Sequence, residues 1–229
     1  VLFKKLGIYE EHERLKRMYK EGEFRKRAGK RDYFEWTNAA CKALKENGLD
    51  RKTFYSVIDS RRFTAGVRQV FAFLRANGIK TGLITGSFYE LAERAQRELG
   101  VDMIEAHCRL DFGPTGRLED WKILESDYED KGTLVRVFSQ TCRIPFDRIV
   151  YVGDDVNDIP AFEKAGLAVA FNSTKPRVRE SAHIQVDSND FRDMLSRVIP
   201  YLDITMPPKE VISSYRTAQT WKMSRNKLS

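Results

Sequence analysis

Apolar side chains in the first sixty residues recur at helical spacing among many charges. Ile8, Leu15, Met18 and Tyr19 make one such face, which Gly22 and Gly29 interrupt. Phe34, Trp36, Ala40 and Leu44 make a second, ended by Asn47-Gly48. A third short helix fits Asp50 to Ser60, with Asp50 as its N-cap. No strand pattern occurs here, so residues 1–60 read as a small helical module whose charged faces are solvated.

The pattern changes near Phe63. Gly66 to Asn77 is helical, with Val67, Val70, Phe71 and Leu74 on one side and Asn77-Gly78 as its end. Ile79 to Ile84 then reads as a strand, with Thr85-Gly86-Ser87 at its carboxyl end, and a helix follows from Phe88 to Leu99. A strand fits Met103 to His107, and Leu110 to Leu118 looks like a hairpin around Gly113-Pro114-Thr115-Gly116. Lys131-Gly132 opens a helix that reaches about Cys142, strands fit 167–171 and Ile184 to Val186, and Phe191 to Val198 is a helix. Alternating strands and helices predict a parallel, doubly wound sheet. After Pro200 the pattern weakens. Pro207-Pro208 breaks any regular element, and the basic end with Trp221 reads as a disordered or loosely docked tail.

Candidate chemistry sits in Ile149-Val150-Tyr151-Val152-Gly153-Asp154-Asp155-Val156-Asn157-Asp158. Four apolar residues make a short buried strand, and Gly153 permits a tight turn. The acidic residues follow where the strand stops, and carboxyl ends of parallel strands are where ligands bind. Asp154, Asn157 and Asp158 offer hard oxygen ligands of the kind Mg²⁺ takes while keeping waters and a substrate phosphate. A solvated, helix-capping turn is the plainer reading of such a pattern alone. The short helix from Ile159 and the strand ending at Phe171 favour an α/β unit with its acidic loop at the active edge.

Two more pieces lie at expected strand ends or helix starts. Thr85-Gly86 offers a hydroxyl and a backbone N–H for phosphate oxygens. Lys131 offers a positive charge at a helix start, where the dipole also favours anions. Singly, Thr85 has the ordinary reading of a cap and Lys131 that of a solvated surface lysine. Together with an acidic metal site they make an electrostatic clamp for a transferring phosphoryl group.

The chain has 229 residues with 41% hydrophobic and 11% aromatic content, enough for a core in one or two domains. No apolar run approaches the roughly 18–20 residues of a membrane span, and no signal segment opens the chain, so no membrane partner is expected. Cys41, Cys108 and Cys142 are odd in number and far apart in sequence, which fits free or buried thiols in a reducing cytoplasm. The net charge of +7 is spread over helix faces and the tail. Without a basic-aromatic module, nucleic acid is not the expected partner; a small phosphorylated metabolite is.

On these residues the chain resembles the haloacid dehalogenase superfamily of phosphatases, in particular its phosphoserine-phosphatase-like branch with a helical cap. Leu83-Ile84-Thr85-Gly86-Ser87-Phe88 is similar to that family's second motif, Asp130-Lys131-Gly132 to its third, and Val152 to Asp158 to its fourth. The segments 106–110 and 116–118 resemble the hairpin between the second and third. The resemblance covers residues 1–199 and implies a Rossmann-like core at 61–199, a cap at 1–60, a tail at 200–229 and Mg²⁺ as cofactor. It implies that Thr85 and Gly86 bind phosphate, that Lys131 holds nucleophile and phosphate together, and that Asp154 ligates Mg²⁺. Asn157 and Asp158 would orient the phosphate, the metal's waters and the lysine.

The family's first motif, Asp-x-Asp-x-Thr on the first core strand, occurs nowhere in the chain. Its first Asp attacks phosphorus and its second acts as acid/base. The expected place of the missing strand is beside strands 79–84 and 149–152. An open slot there would expose several apolar side chains, each stabilising by about 1.5–3 kcal/mol when buried. The chain therefore reads as an N-terminally truncated form of a longer enzyme. The alternative is a degenerate, non-catalytic phosphate- and Mg²⁺-binding relative whose tail or partner fills the slot. Phosphoserine enzymes use a cap arginine for the substrate carboxylate. The matching helix, Asp32 to Leu44, has none, and Lys42 is its nearest cation, so phosphoserine is one candidate among small phosphomonoesters.

Overall fold

A computed structural model describes residues 1–24, 33–124 and 131–202. Gly29, Asp130 and the tail from Asp203 lie outside the described residues. Ten α-helices and six strands follow one another along the described chain: α1 Leu2–Lys5, α2 Tyr9–Glu21, α3 Tyr33–Glu46, α4 Arg51–Ser60, α5 Val67–Ala76, β1 Gly82–Phe88, α6 Tyr89–Leu99, β2 Met103–Phe112, β3 Leu118–Ile123, α7 Lys131–Cys142, β4 Val150–Gly153, α8 Ile159–Phe162, β5 Leu167–Phe171, α9 Pro176–Glu180, β6 Ile184–Val186 and α10 Phe191–Val198. The strands form two three-stranded sheets, in the orders β1-β2-β3 and β4-β5-β6. The chain packs as two compact units. One contains 1–62, 83–94 and 104–134; the other contains 63–82, 95–103 and the chain from Val135 onward.

In the first unit the helical faces read from the sequence bury against a hairpin. Phe54, Val57 and Ile58 of α4 and Cys41 and Leu44 of α3 share one core with Cys108, Leu110, Phe112 and Leu118 of β2 and β3. Phe54 is fully buried and meets Phe88 edge-on at 5.3 Å and Phe112 at 5.4 Å. Asp50 caps α4 as expected, accepting from the Thr53 N–H at 2.7 Å. β2 and β3 are antiparallel, with Leu110 opposite Trp121 and a register shift between Asp111 and Phe112. The strand expected at 103–107 and the first arm of the hairpin are one continuous strand, because β2 pairs on both sides, with β1 and with β3. Cys41 and Cys108, distant in sequence, are buried with their sulfurs 3.6 Å apart as free thiols.

β1 starts three residues later than its apolar run suggests. Thr81 is occupied by Asp102, whose carboxylate accepts from the Thr81 N–H at 2.9 Å and its hydroxyl at 3.0 Å, while Lys80 donates to the same side chain at 2.7 Å. The Asp102 side chain takes the Thr81 N–H, while the Thr81 carbonyl still accepts from the Met103 N–H at 3.1 Å, and Thr85-Gly86-Ser87 falls inside the strand.

In the second unit β4, β5 and β6 are parallel, with Val152 beside Val169 and Val169 beside Ile184. Successive side chains of β5 point to opposite faces. Leu167 and Val169 pack with Val70 and Phe73 of α5 and Met194, Leu195 and Val198 of α10. Ala168 and Ala170 pack with Phe162 of α8 and Val178 of α9. A strand buried on both faces is what a doubly wound sheet requires. No helix among the described residues is long and apolar enough to cross a membrane.

Two stability measurements follow from this packing. Phe54→Ala removes a ring buried among three elements and lowers unfolding stability by about 3–5 kcal/mol; a loss below about 1 kcal/mol in a denaturant titration contradicts the packing. Glu90, 7% exposed, accepts from the Leu110 N–H at 3.4 Å through one oxygen, and its other oxygen is buried without a hydrogen-bond partner. Burial pushes its carboxyl above the usual carboxylate range. The folded state then favours the protonated acid, so this stabilisation is present at acid pH and is lost as pH rises through the raised value. Glu90→Gln is expected to stabilise the protein near neutral pH by about 1–2 kcal/mol and to flatten this dependence. Equal stability of the two proteins across the whole range contradicts it.

Candidate active site

The acidic loop is built by one carboxylate folding back on the strand that precedes it. Gly153 ends β4, and a Cβ there would lie 2.5 Å from both Cγ and Oδ2 of Asp158. The space a side chain would need is filled by the Asp158 carboxylate. Asp158 Oδ2 accepts from the Asp154 N–H at 2.9 Å and from the Asp155 N–H at 3.0 Å; Oδ1 accepts from the Tyr151 hydroxyl at 3.0 Å. Asp158 is 3% exposed. Asp155 caps the short 3₁₀ turn Val156–Asp158 in a reciprocal capping box with Asp158, and its carboxylate pairs with Lys175.

The three neighbouring carboxylates are thereby sorted. Asp158 organises the loop, Asp155 is held in an ion pair, and Asp154 lies exposed just beyond the strand end, with Asn157 half-buried. Among the described residues no three His, Cys, Asp or Glu side chains converge into a metal cage. An exposed carboxylate on a fixed loop, such as that of Asp154, is nevertheless a donor Mg²⁺ accepts, because that ion keeps several waters and is commonly held by one or two carboxylates plus phosphate oxygens.

Thr85, Gly86 and Lys131 belong to the first unit, and Asp154, Asn157 and Asp158 to the second. Thr85 Oγ1 accepts from the Ser87 N–H at 3.2 Å, which leaves its own proton for another oxygen. The Gly86 carbonyl accepts from the Tyr33 hydroxyl at 3.4 Å. Lys131 opens α7 and is only 6% exposed. Lysines are almost never this buried unless paired, so the ordinary reading of a solvated surface lysine does not hold. Lys42 does sit in solvent, 3.8 Å from Glu46 one helical turn on.

Sequence reasoning missed Tyr151, Ser173 and Lys175, which hold the loop. In the sequence Tyr151 is one of four apolar strand residues, and nothing marks its hydroxyl. The signal for the other two is weak: a hydroxyl and a cation directly after β5, the strand hydrogen-bonded to β4.

Comparison with known proteins bears on what this loop belongs to. The model of a haloacid dehalogenase-like hydrolase family matches residues 2–166. A phosphoserine phosphatase of Streptomyces coelicolor is 32% identical over 161 residues, 69% of this chain and 36% of that protein. One of Streptococcus thermophilus is 29% identical over 177 residues, 76% of this chain and 78% of that protein. The chain thus spans about a third of the length of the first relative and most of the second. The solved structure of a phospho-aspartyl intermediate analogue of phosphoserine phosphatase covers 88% of this chain and 90% of its own, with TM-score 0.71 and 24% identity, a likeness of fold. With the family model matched over most of the chain, around an acidic loop ordered on a parallel strand end, the chain belongs to the haloacid dehalogenase-like hydrolases.

Proposed function

We propose that the chain carries the phosphate- and Mg²⁺-binding residues of a Mg²⁺-dependent phosphatase acting on a small phosphomonoester. The observation that carries this reading is the exposed Asp154 on a loop whose backbone Asp158 pins. Mg²⁺ bound there would neutralise phosphate oxygens and polarise the phosphorus towards attack. The Thr85 hydroxyl and the Gly86 N–H would hold phosphate oxygens, and Lys131 would hold the phosphate against its attacking carboxylate. Asn157 would orient the phosphate from the acidic loop. Asp158, with one oxygen bonded to the loop's backbone and the other to Tyr151 of β4, serves this role through the backbone it holds.

The attacking carboxylate would form an aspartyl-phosphate and would come from an Asp-x-Asp-x-Thr strand, which these 229 residues do not contain. That same observation favours a second reading, a non-catalytic protein that keeps the phosphate and Mg²⁺ sites. Phosphoserine is one substrate candidate, supported by the relatives. The solvated Lys42 is a poor match for a dedicated carboxylate reader, which keeps other small phosphomonoesters in the class. The free thiols of Cys41 and Cys108, in contact but not bonded, support a reducing cytoplasm as the compartment.

The test joins an Asp-x-Asp-x-Thr strand to the chain and measures release of phosphate from an aryl phosphate and from L-phosphoserine with Mg²⁺. Turnover is expected on the aryl phosphate, lost on chelation and lowered about 10²–10³-fold by Asp154→Asn, the range for removing one preorganised electrostatic group. A joined protein that folds and binds Mg²⁺ without turnover overturns the catalytic reading in favour of the binding one.

A further inference from the structure

The loop that follows β5 holds the acidic loop that follows β4. Ser173, 3% exposed, donates its hydroxyl to the Asp154 carbonyl oxygen at 2.7 Å. The Asp154 N–H is already held by Asp158 at 2.9 Å. The main chain on both sides of the Asp154 side chain is therefore fixed. Ser173 is itself anchored from behind. Asn172 takes a left-handed conformation with φ 56°, and its side-chain amide bonds both the carbonyl and the N–H of Ser188, at 2.6 and 2.8 Å. Arg179 donates to the Ser173 carbonyl at 3.1 Å while it also holds Asp187 at 2.7 Å. Two residues on, Lys175 pairs with Asp155.

One short loop thus discriminates between two adjacent aspartates. Lys175 draws the Asp155 carboxylate into an ion pair, and Ser173 fixes the main chain from which Asp154 projects. From this geometry we infer that Ser173 is a positioning residue for a divalent cation at Asp154. It never touches the cation but sets the direction of its carboxylate ligand. The inference rests on the reading of Asp154 as a metal ligand. Outer hydrogen bonds that orient a metal's ligand typically change affinity by about 10–100-fold, because a ligand held in its bound geometry does not have to be ordered on binding.

The experiment titrates Mn²⁺ into the full chain and follows bound metal by electron paramagnetic resonance, with the unfolding transition measured in parallel. Ser173→Ala is expected to weaken Mn²⁺ binding about tenfold with the unfolding transition kept cooperative. Ser181→Ala, which removes an exposed hydroxyl on α9's end bonded to Arg177, leaves affinity unchanged. Ser173→Cys, nearly isosteric with a weaker donor, falls between wild type and the alanine variant; it decides the matter if the alanine variant does not fold. Wild-type affinity in both Ser173 variants, alongside weakened binding in Asp154→Asn, overturns the role of Ser173 and leaves the metal site standing. Binding that Asp154→Asn does not weaken, or no Mn²⁺ binding by the unsubstituted chain, overturns the metal reading and this inference with it.

Discussion

The candidate site depends on one carboxylate turning back onto a glycine. Asp158 reaches the end of β4 only because Gly153 has no side chain there. Once in place it accepts from two successive backbone N–H groups and a phenol. Buried carboxylates are tolerated when their lone pairs are met in this way. The consequence is a loop with defined backbone, from which an adjacent aspartate projects towards solvent. Any larger residue at 153 would force Asp158 out and release the Asp154 and Asp155 amides it holds.

The two units carry complementary chemistry. The first supplies the neutral and positive groups that suit phosphate: Thr85, with a hydroxyl proton to offer, and Lys131, buried at a helix start where the backbone dipole adds to its charge. The second supplies the carboxylate that suits a hard cation. Phosphoryl transfer asks little covalent chemistry of a protein beyond positioning and charge stabilisation. What these residues do not supply is the attacking carboxylate, and that is why the catalytic and the binding readings both remain physical.

Much of the fold was legible in the sequence, because its signals are local. β5, β6 and α10 occupy the positions their apolar patterns predict, and α4 begins at the Asp50 cap. Departures come where a distant side chain intervenes. Asp102 takes the Thr81 N–H and hydroxyl, and β1 begins at the next residue. Pairing on both edges extends β2 through what looked like a separate hairpin arm. Sequence marked the acidic loop as a site and offered Asp154 and Asp158 alike as oxygen ligands, with no role for Asp155. How each of them is held depends on Gly153, Tyr151, Ser173 and Lys175, and the bond from Ser173 to Asp154 spans 19 positions. Cys41 and Cys108 meet across 67 positions for the same reason. Such contacts are set by how strands and helices distant in sequence pack together, which no local pattern encodes.

The central claim is that the acidic loop presents Asp154, and not its neighbours, to a divalent cation. The most direct measurement is an amide nitrogen–proton correlation spectrum recorded as Mn²⁺ is added in small steps, since the ion broadens signals according to their distance from it. The account predicts that the amides of Asp154 to Asp158 broaden first and that Mg²⁺ in excess restores them. Broadening that begins elsewhere, or that leaves the acidic loop sharp, would contradict it.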